Sequence, residues 1–237
     1  MFAVFARNDL RGVGRDSLLA GLLLAPLVWI ALVRFVTPMV ADSYDIDLTP
    51  YYPVILTGFL LLTSAIVPGG LIALLVLDER DAGTLVALKT TPVPLRTYIA
   101  YRATIAVVLA TVFVVGTISA SGLLPADLIL PLIPIGVLTG LSALVICLTM
   151  LAFAHNKVEG IAVIRGLGIL VAGLPLIPFF LDSDWQLLFS LIPTYWPAKA
   201  FWVAWEHGTW WPYLTVGTVF HLLLTWPLCR LFTKGVS

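Results

Sequence analysis

The sequence predicts an all-α, polytopic membrane protein with six transmembrane helices, and three observations predict it. Of 237 residues, 60% are hydrophobic and 11% charged, with a mean hydropathy of +1.05, more apolar surface than a water-soluble fold of this size buries. Six segments each carry the roughly 20 apolar residues that cross a hydrocarbon layer of about 30 Å. The basic residues gather on one side of the resulting chain path. The formal net charge is zero, so no basic field points to nucleic acid as a partner.

In chain order, residues 1–17 come first. Phe2, Val4, Phe5, Leu10 and Val13 alternate with Arg7, Asp9, Arg11, Arg15 and Asp16, the pattern of an amphipathic helix lying on a membrane face. The spans are expected near Leu18–Met39, Val54–Leu77, Tyr98–Gly122, Leu128–Phe153, Ile161–Leu181 and Trp211–Leu231. The first is too long, and too poor in small residues at its end, for a cleaved signal peptide. Pro68-Gly69-Gly70 is expected to break the second span near its middle, and Pro175 and Pro178 to bend the fifth. Residues 182–210 hold most of the tryptophan: Trp185, Trp196, Trp202, Trp205 and Trp210, with Trp211 next, are six of the eight. Helical spacing of Trp185, Leu188, Phe189 and Ile192, and of Ala198, Phe201, Trp202 and Trp205, predicts two short interfacial helices broken at Pro193 and Pro197. The whole chain, 1–237, thus reads as one membrane domain.

Arg7, Arg11, Arg15, Arg80, Lys89, Arg96, Arg102, Lys157, Arg165, Arg230 and Lys234, eleven of the thirteen Lys and Arg, fall on one side. Asp42, Asp45, Asp47, Asp127, Asp182, Asp184 and Glu206 occupy the other. The positive-inside rule then puts both termini and the Asp78–Val93 segment in the cytoplasm, with the chain multi-pass in the membrane. Cys147 and Cys229 lie toward that side and are expected to stay reduced as packing residues.

The polar interruption at 78–95 carries the main functional signal. Asp78, Glu79, Arg80 and Asp81 give mixed charge at a membrane exit, suited to ion pairs with a neighbouring protein or with the N-terminal helix. Gly83 and Thr84 follow. Thr84 can cap a short helix with Leu85 and Leu88 on one face, and Thr91-Pro92-Val93-Pro94 stops it. No Gly-x-x-x-x-Gly-Lys-Ser/Thr phosphate loop occurs. Glu79-Arg80-Asp81, Gly83-Thr84-Leu85, Leu88 and Thr91-Pro92 stand in the order and spacing of the coupling segment of ABC-2 type (type V exporter-like) permeases, which the chain resembles over essentially its whole length. Lys89 departs from that pattern, where the family often has a small or apolar residue.

The resemblance implies a permease subunit of an ABC exporter. Its coupling helix would seat on a separate cytosolic ABC ATPase, which alone would bind ATP and Mg, so this chain would hold no cofactor and be no enzyme. A second permease copy or a sibling permease would complete the pathway, membrane lipids would surround it, and a hydrophobic or amphipathic small molecule (drug, antibiotic or lipid) would be carried outward. Small permeases of this length resemble those of bacterial drug exporters, including actinobacterial fluoroquinolone-type systems. Residues 154–160 resemble the minor contact with the ATPase, although a plain polar turn explains them equally well.

Few polar groups lie inside the spans. His221, near the middle of the sixth, needs a partner, and Thr218 and Thr225, a turn away on either side, are the expected ones. With Pro68, Gly69, Trp202 and Trp205 it forms the set of candidate pathway or gate residues, beside the blander readings of kinks, packing and an aromatic belt. Arg34 is expected to snorkel outward as an anchor. A non-transporting scaffold or assembly protein shares this topology. An intramembrane lipid-modifying enzyme is a further alternative, though His155, His207 and His221 lie at different depths, no His-Glu-x-x-His motif occurs, Ser121-Gly122 lacks a serine-protease context, and Asp78-Glu79 beside Arg80 is not a dense acidic metal site.

Overall fold

The computed structural model describes residues 2–84, 95–181 and 183–236, with no side-chain account of 2–4, 8, 95, 96 and 233–236. The described residues are helical with no strand, and six helices are long and apolar enough to cross a membrane: Ser17–Tyr44, Thr49–Asp81, Thr97–Ala120, Ala126–Phe153, Lys157–Phe180 and Trp211–Phe232. They fall where hydropathy puts them; the second is longer at both ends.

An N-terminal helix, Phe2–Arg15, precedes the first span. Asp16 separates the two and caps the span, its carboxylate accepting from the N–H groups of Leu18 at 2.9 Å and Leu19 at 3.3 Å. The first span carries a π-turn at Leu32–Val36 just before Pro38, the irregularity expected where a proline removes a donor.

The second span is the hub, with its residues from Leu71 to Leu77 all buried. Contrary to expectation, it does not break at Pro68-Gly69-Gly70. Its irregular turn lies earlier, a π-turn at Thr57–Leu61, and the helix then runs unbroken from Leu62 to Asp81. The glycines serve close packing instead: a Cβ on Gly69 would stand 2.5 Å from the Ala143 carbonyl oxygen of the fourth span, and one on Gly70 would strike the Ile164 side chain of the fifth. Gly140 of the fourth span likewise lets the Val107 backbone approach, where a Cβ would be 2.6 Å from its carbonyl oxygen. Such small residues let helices meet closely without a hydrophobic drive between them.

The fifth span does change form at its prolines, from an α-helix at Lys157–Gly168 through a π-turn at Ile169–Gly173 to a 3-10 helix at Leu174–Phe180. Beyond it, a 3-10 segment spans Asp184–Leu191 and a helix spans Tyr195–Trp205, with Pro193 between them. Pro197 makes no break, because it stands in the first turn of that helix, where its missing N–H has no partner to lose. The Tyr195–Trp205 helix is buried along much of its length, so it lies inside the bundle rather than on its rim.

Two cores follow. One, at the end carrying both termini, joins Val13, Leu71 to Leu77, Tyr98, Ile146, Met150 and Phe232. The other, at the far end, joins Val33, Leu56, Leu60 to Leu62, Val114, Ile118, Leu132, Phe201 and Trp202.

Candidate coupling site and membrane-embedded polar groups

At its exit the second span closes in an ordinary C-terminal turn. The Ala82 N–H donates to the Asp78 carbonyl at 2.9 Å and the Gly83 N–H to the Arg80 carbonyl at 3.0 Å. Gly83 has φ +71°, a left-handed conformation that glycine reaches without a Cβ penalty. Gly83 and Thr84 are exposed. The expected docking residues Leu85, Leu88, Thr91 and Pro92, and Lys89, lie outside the described residues.

All four charged residues at this exit are engaged within the chain. Glu79 accepts from Arg102 at 2.6 Å, and the Tyr98 hydroxyl donates to its other oxygen. Arg102 also donates to Asp9 of the N-terminal helix at 2.8 Å and, through Nε, to Tyr98 at 3.1 Å. The Tyr101 hydroxyl donates to the same Asp9 oxygen at 2.6 Å. Phe5 packs on both tyrosine rings, with centroids 6.0 and 5.1 Å away. Arg102 is only 5% exposed. One buried guanidinium thus ties the N-terminal helix, the second span and the third. Every group in the cluster is satisfied, which is the condition under which a buried charge is tolerated.

Asp78 accepts from the Lys157 ammonium at 3.0 Å, as Asp16 does at 2.5 Å, and Asp81 accepts from the Lys157 backbone N–H at 3.0 Å. Arg80 donates to the Ala154 carbonyl at 3.1 Å. The Lys157 ammonium bonded to Asp16 holds that carboxyl below its ordinary value of 3.8. The 154–160 turn is itself well formed. Asn156 accepts from the Glu159 N–H at 2.9 Å and donates to the Glu159 carboxylate at 2.8 Å, while the His155 N–H also donates to Glu159 at 2.8 Å. This turn, the N-terminal helix and the exit of the second span are therefore fastened together.

Inside the spans, His221 is fully buried, and its partners differ from those expected. Its Nδ1 stands 2.6 Å from the Gly217 carbonyl oxygen, which assigns the proton to Nδ1 and leaves Nε2 to accept from the Ser142 hydroxyl at 2.8 Å. Thr218 and Thr225 do not hold the ring. Thr225 donates instead to the His221 carbonyl at 2.8 Å, because a side chain i+4 on a helix meets backbone before it meets a ring. Ser142 also lies 3.4 Å from the Pro193 carbonyl, so the fourth span, the sixth span and the turn before the Tyr195–Trp205 helix meet at one point.

Trp202 is 4% exposed and donates to the Thr57 hydroxyl at 2.8 Å, at the π-turn of the second span. A belt residue at the lipid surface would be exposed, as Trp185 and Trp211 are. Trp205 is half-buried against Phe201, centroids 5.9 Å apart. Arg34 is exposed and donates to the Ala120 carbonyl at 2.7 Å, reaching toward the end of the third span opposite the termini and capping it. Pro68, Gly69, His221 and Trp202 are thus held in different helix contacts and do not converge on one site.

The sequence placed Asp9 in the N-terminal helix and offered that helix as a partner for the Asp78–Asp81 charges, but it counted Arg102 only among the basic-side charges and gave Tyr98 and Tyr101 no bonding role. The available signal was Tyr98 with Tyr101 and Arg102 at i, i+3 and i+4, one polar helical face inside an apolar run.

The model of the family described as "Fluoroquinolones export permease protein Rv2686c-like" matches residues 9–229, a range that includes the latch from Asp9 to Lys157 and the His221 site. The chain belongs to this family. Two of its fellow export permeases, each named for fluoroquinolones export and from Mycobacterium tuberculosis strains CDC 1551 / Oshkosh and ATCC 25618 / H37Rv, are 53% identical to it over 234 residues, covering 97% of this chain and 93% of theirs. No solved structure matches this export permease. With its six apolar helices, the family member is a multi-pass membrane protein and a transport permease.

Proposed function

We propose that this chain is the membrane subunit of an ABC-2 type exporter, driven by a separate cytosolic ABC ATPase that binds ATP and Mg. Both termini and residues 78–95 face the cytoplasm of a bacterial cell, across its cytoplasmic membrane. A second permease copy or a sibling completes the path for a hydrophobic or amphipathic drug-like substrate; the relatives' names make fluoroquinolones the first candidates. One observation carries the mechanism. Asp78, Glu79, Arg80 and Asp81 are bonded to the N-terminal helix, the third span and the 154–157 turn.

A push on the coupling segment would thus move these elements as a unit instead of bending one loop. Buried charge pairs resist separation because parting them exposes uncompensated charge to a low-dielectric surrounding. The saturated latch also leaves the docking itself to the residues after Gly83, which fits a coupling role for Leu85, Leu88, Thr91 and Pro92.

Co-expression with candidate ABC ATP-binding proteins from the same organism tests this reading. The wild type is expected to co-purify with an ATPase and to support ATP-dependent uptake of a fluoroquinolone into inside-out vesicles. Gly83→Pro combined with Leu88→Asp is expected to lose the association while the permease elutes unchanged in gel filtration. Association that survives the double change, or vesicles without ATP-dependent uptake, overturns it.

A further inference from the structure

The two sides of the N-terminal helix differ in what they meet. Phe5, Asp9 and Val13 face the bundle: Phe5 packs on the Tyr98 and Tyr101 rings, Asp9 accepts from Arg102 and Tyr101, and Val13 is buried in the core at the end carrying both termini. Arg7, Arg11 and Arg15 stand at i, i+4 and i+8 on the other side, one stripe along the helix. All three are exposed and meet no acceptor among the described residues. Asp9 is the helix's one acid and is turned inward, so the stripe holds three positive charges and no negative one.

The helix lies along the flank of the bundle. A Cβ on Gly12 would stand 3.9 Å from the Leu75 side chain, one turn of the second span inside Glu79. Beside it an apolar cleft of about 220 Å³ opens between Leu10 of the helix, Leu23 of the first span, Leu75 of the second and Leu109 of the third, and Asp9 and Tyr101 of the latch also line it. Leu10 is 70% exposed and one turn from Arg7, so it joins the stripe to the cleft. Basic side chains set level with the last apolar turns of the spans reach the headgroup layer at the side of the protein.

We propose that the stripe and the cleft together bind an anionic phospholipid, with its phosphate on Arg7 and Arg11, Arg15 extending the positive surface, and the upper part of an acyl chain passing over Leu10 into the cleft. Guanidinium and phosphate match as a two-pronged, charge-assisted pair. Each basic residue near an anionic headgroup layer adds about a fivefold gain in binding. The chain fills the space beside Asp9 and Tyr101, so the bound lipid supports the latch from its open side. This site goes beyond the exporter reading and does not depend on it.

The test follows retention of phosphatidylglycerol by the purified permease in native mass spectrometry, together with the unfolding midpoint as that lipid is added to the detergent. Wild type is expected to hold phosphatidylglycerol about tenfold or more tighter than phosphatidylcholine, and to gain in midpoint with phosphatidylglycerol alone. Arg7→Gln, Arg11→Gln and Arg15→Gln combined should weaken phosphatidylglycerol about a hundredfold and remove the gain, while eluting as wild type because the three side chains bond to none of the described residues. Leu10→Gln, with the stripe intact, should weaken both lipids and keep the preference between them. Glycerol phosphate, the headgroup without acyl chains, should not displace the lipid; displacement would make this a phosphate site and overturn the lipid assignment. Unchanged retention in the triple variant overturns the site, and if that variant instead loses the co-purifying ATPase, the stripe belongs to a cytosolic partner. If no ATPase co-purifies with wild type yet the lipid preference and its loss persist, the exporter reading falls and the lipid site stands.

Discussion

Arg102 and Arg165 enter the bundle from the same end, on the third and fifth spans, and meet opposite fates. Arg102 is buried among two carboxylates and two tyrosines from three helices; Arg165 is exposed beside an open glycine. The difference separates two uses of charge in a membrane protein. A charge whose hydrogen bonds are all satisfied within the chain holds helices in register, and an exposed one with no acceptor among the described residues ties no helix to another.

The largest expected effect breaks the satisfied side of that comparison. Arg102→Met strands Asp9 and Glu79 as half-buried carboxylates and should destabilise the permease by up to about 3 kcal/mol, seen as a lower unfolding midpoint in detergent. Combining it with Asp9→Asn and Glu79→Gln should recover much of the loss; no recovery would mean that packing of Phe5 and the tyrosines, not charge, holds the latch. Next, Ser142→Ala leaves the buried Nε2 of His221 without a donor and should cost about 1–3 kcal/mol, measured the same way, with Ser142→Thr milder.

A smaller effect is expected at the exposed edge of the latch. Lys157→Met removes the partner of Asp16 and Asp78, and exposed or half-exposed pairs are worth about 0.2–1 kcal/mol. Because Lys157 lowers the pKa of Asp16 in the folded state, the contribution is present above about pH 4 and is lost as pH falls through the lowered value. Unfolding midpoints of wild type and Lys157→Met should therefore converge on acidification. The smallest stability effect is expected for Arg165→Gln, within about 0.5 kcal/mol of wild type. A large destabilisation there would erase the contrast between the two arginines.

The candidate coupling site was partly legible in sequence. Asp78 to Asp81 announce themselves as a charged exit because they interrupt an apolar run, and Gly83 as a turn because it follows one. Their partners were not legible: Asp9 and Arg102 are 93 residues apart and Asp16 and Lys157 are 141 apart, so no local pattern links them. Pro68 misled for a related reason. Alone it predicts a break, yet the irregular turn lies before it and the helix runs unbroken through Gly69 and Gly70, where neighbours pack closely. Trp202 and His221 likewise look like an interfacial ring and a lone imidazole until the helices that carry Thr57 and Ser142 are placed beside them.

By itself the sequence determined the class: six membrane helices, their approximate places along the chain, and the end at which the basic residues gather. Hydropathy and charge asymmetry act residue by residue along the chain, so they survive being read in one dimension. Only the tertiary structure decided which charges are spent. Satisfaction of a buried polar group is a property of the space around it, and that space is built from helices far apart in sequence. On that ground alone, Arg102 became a fastener and Arg165 did not.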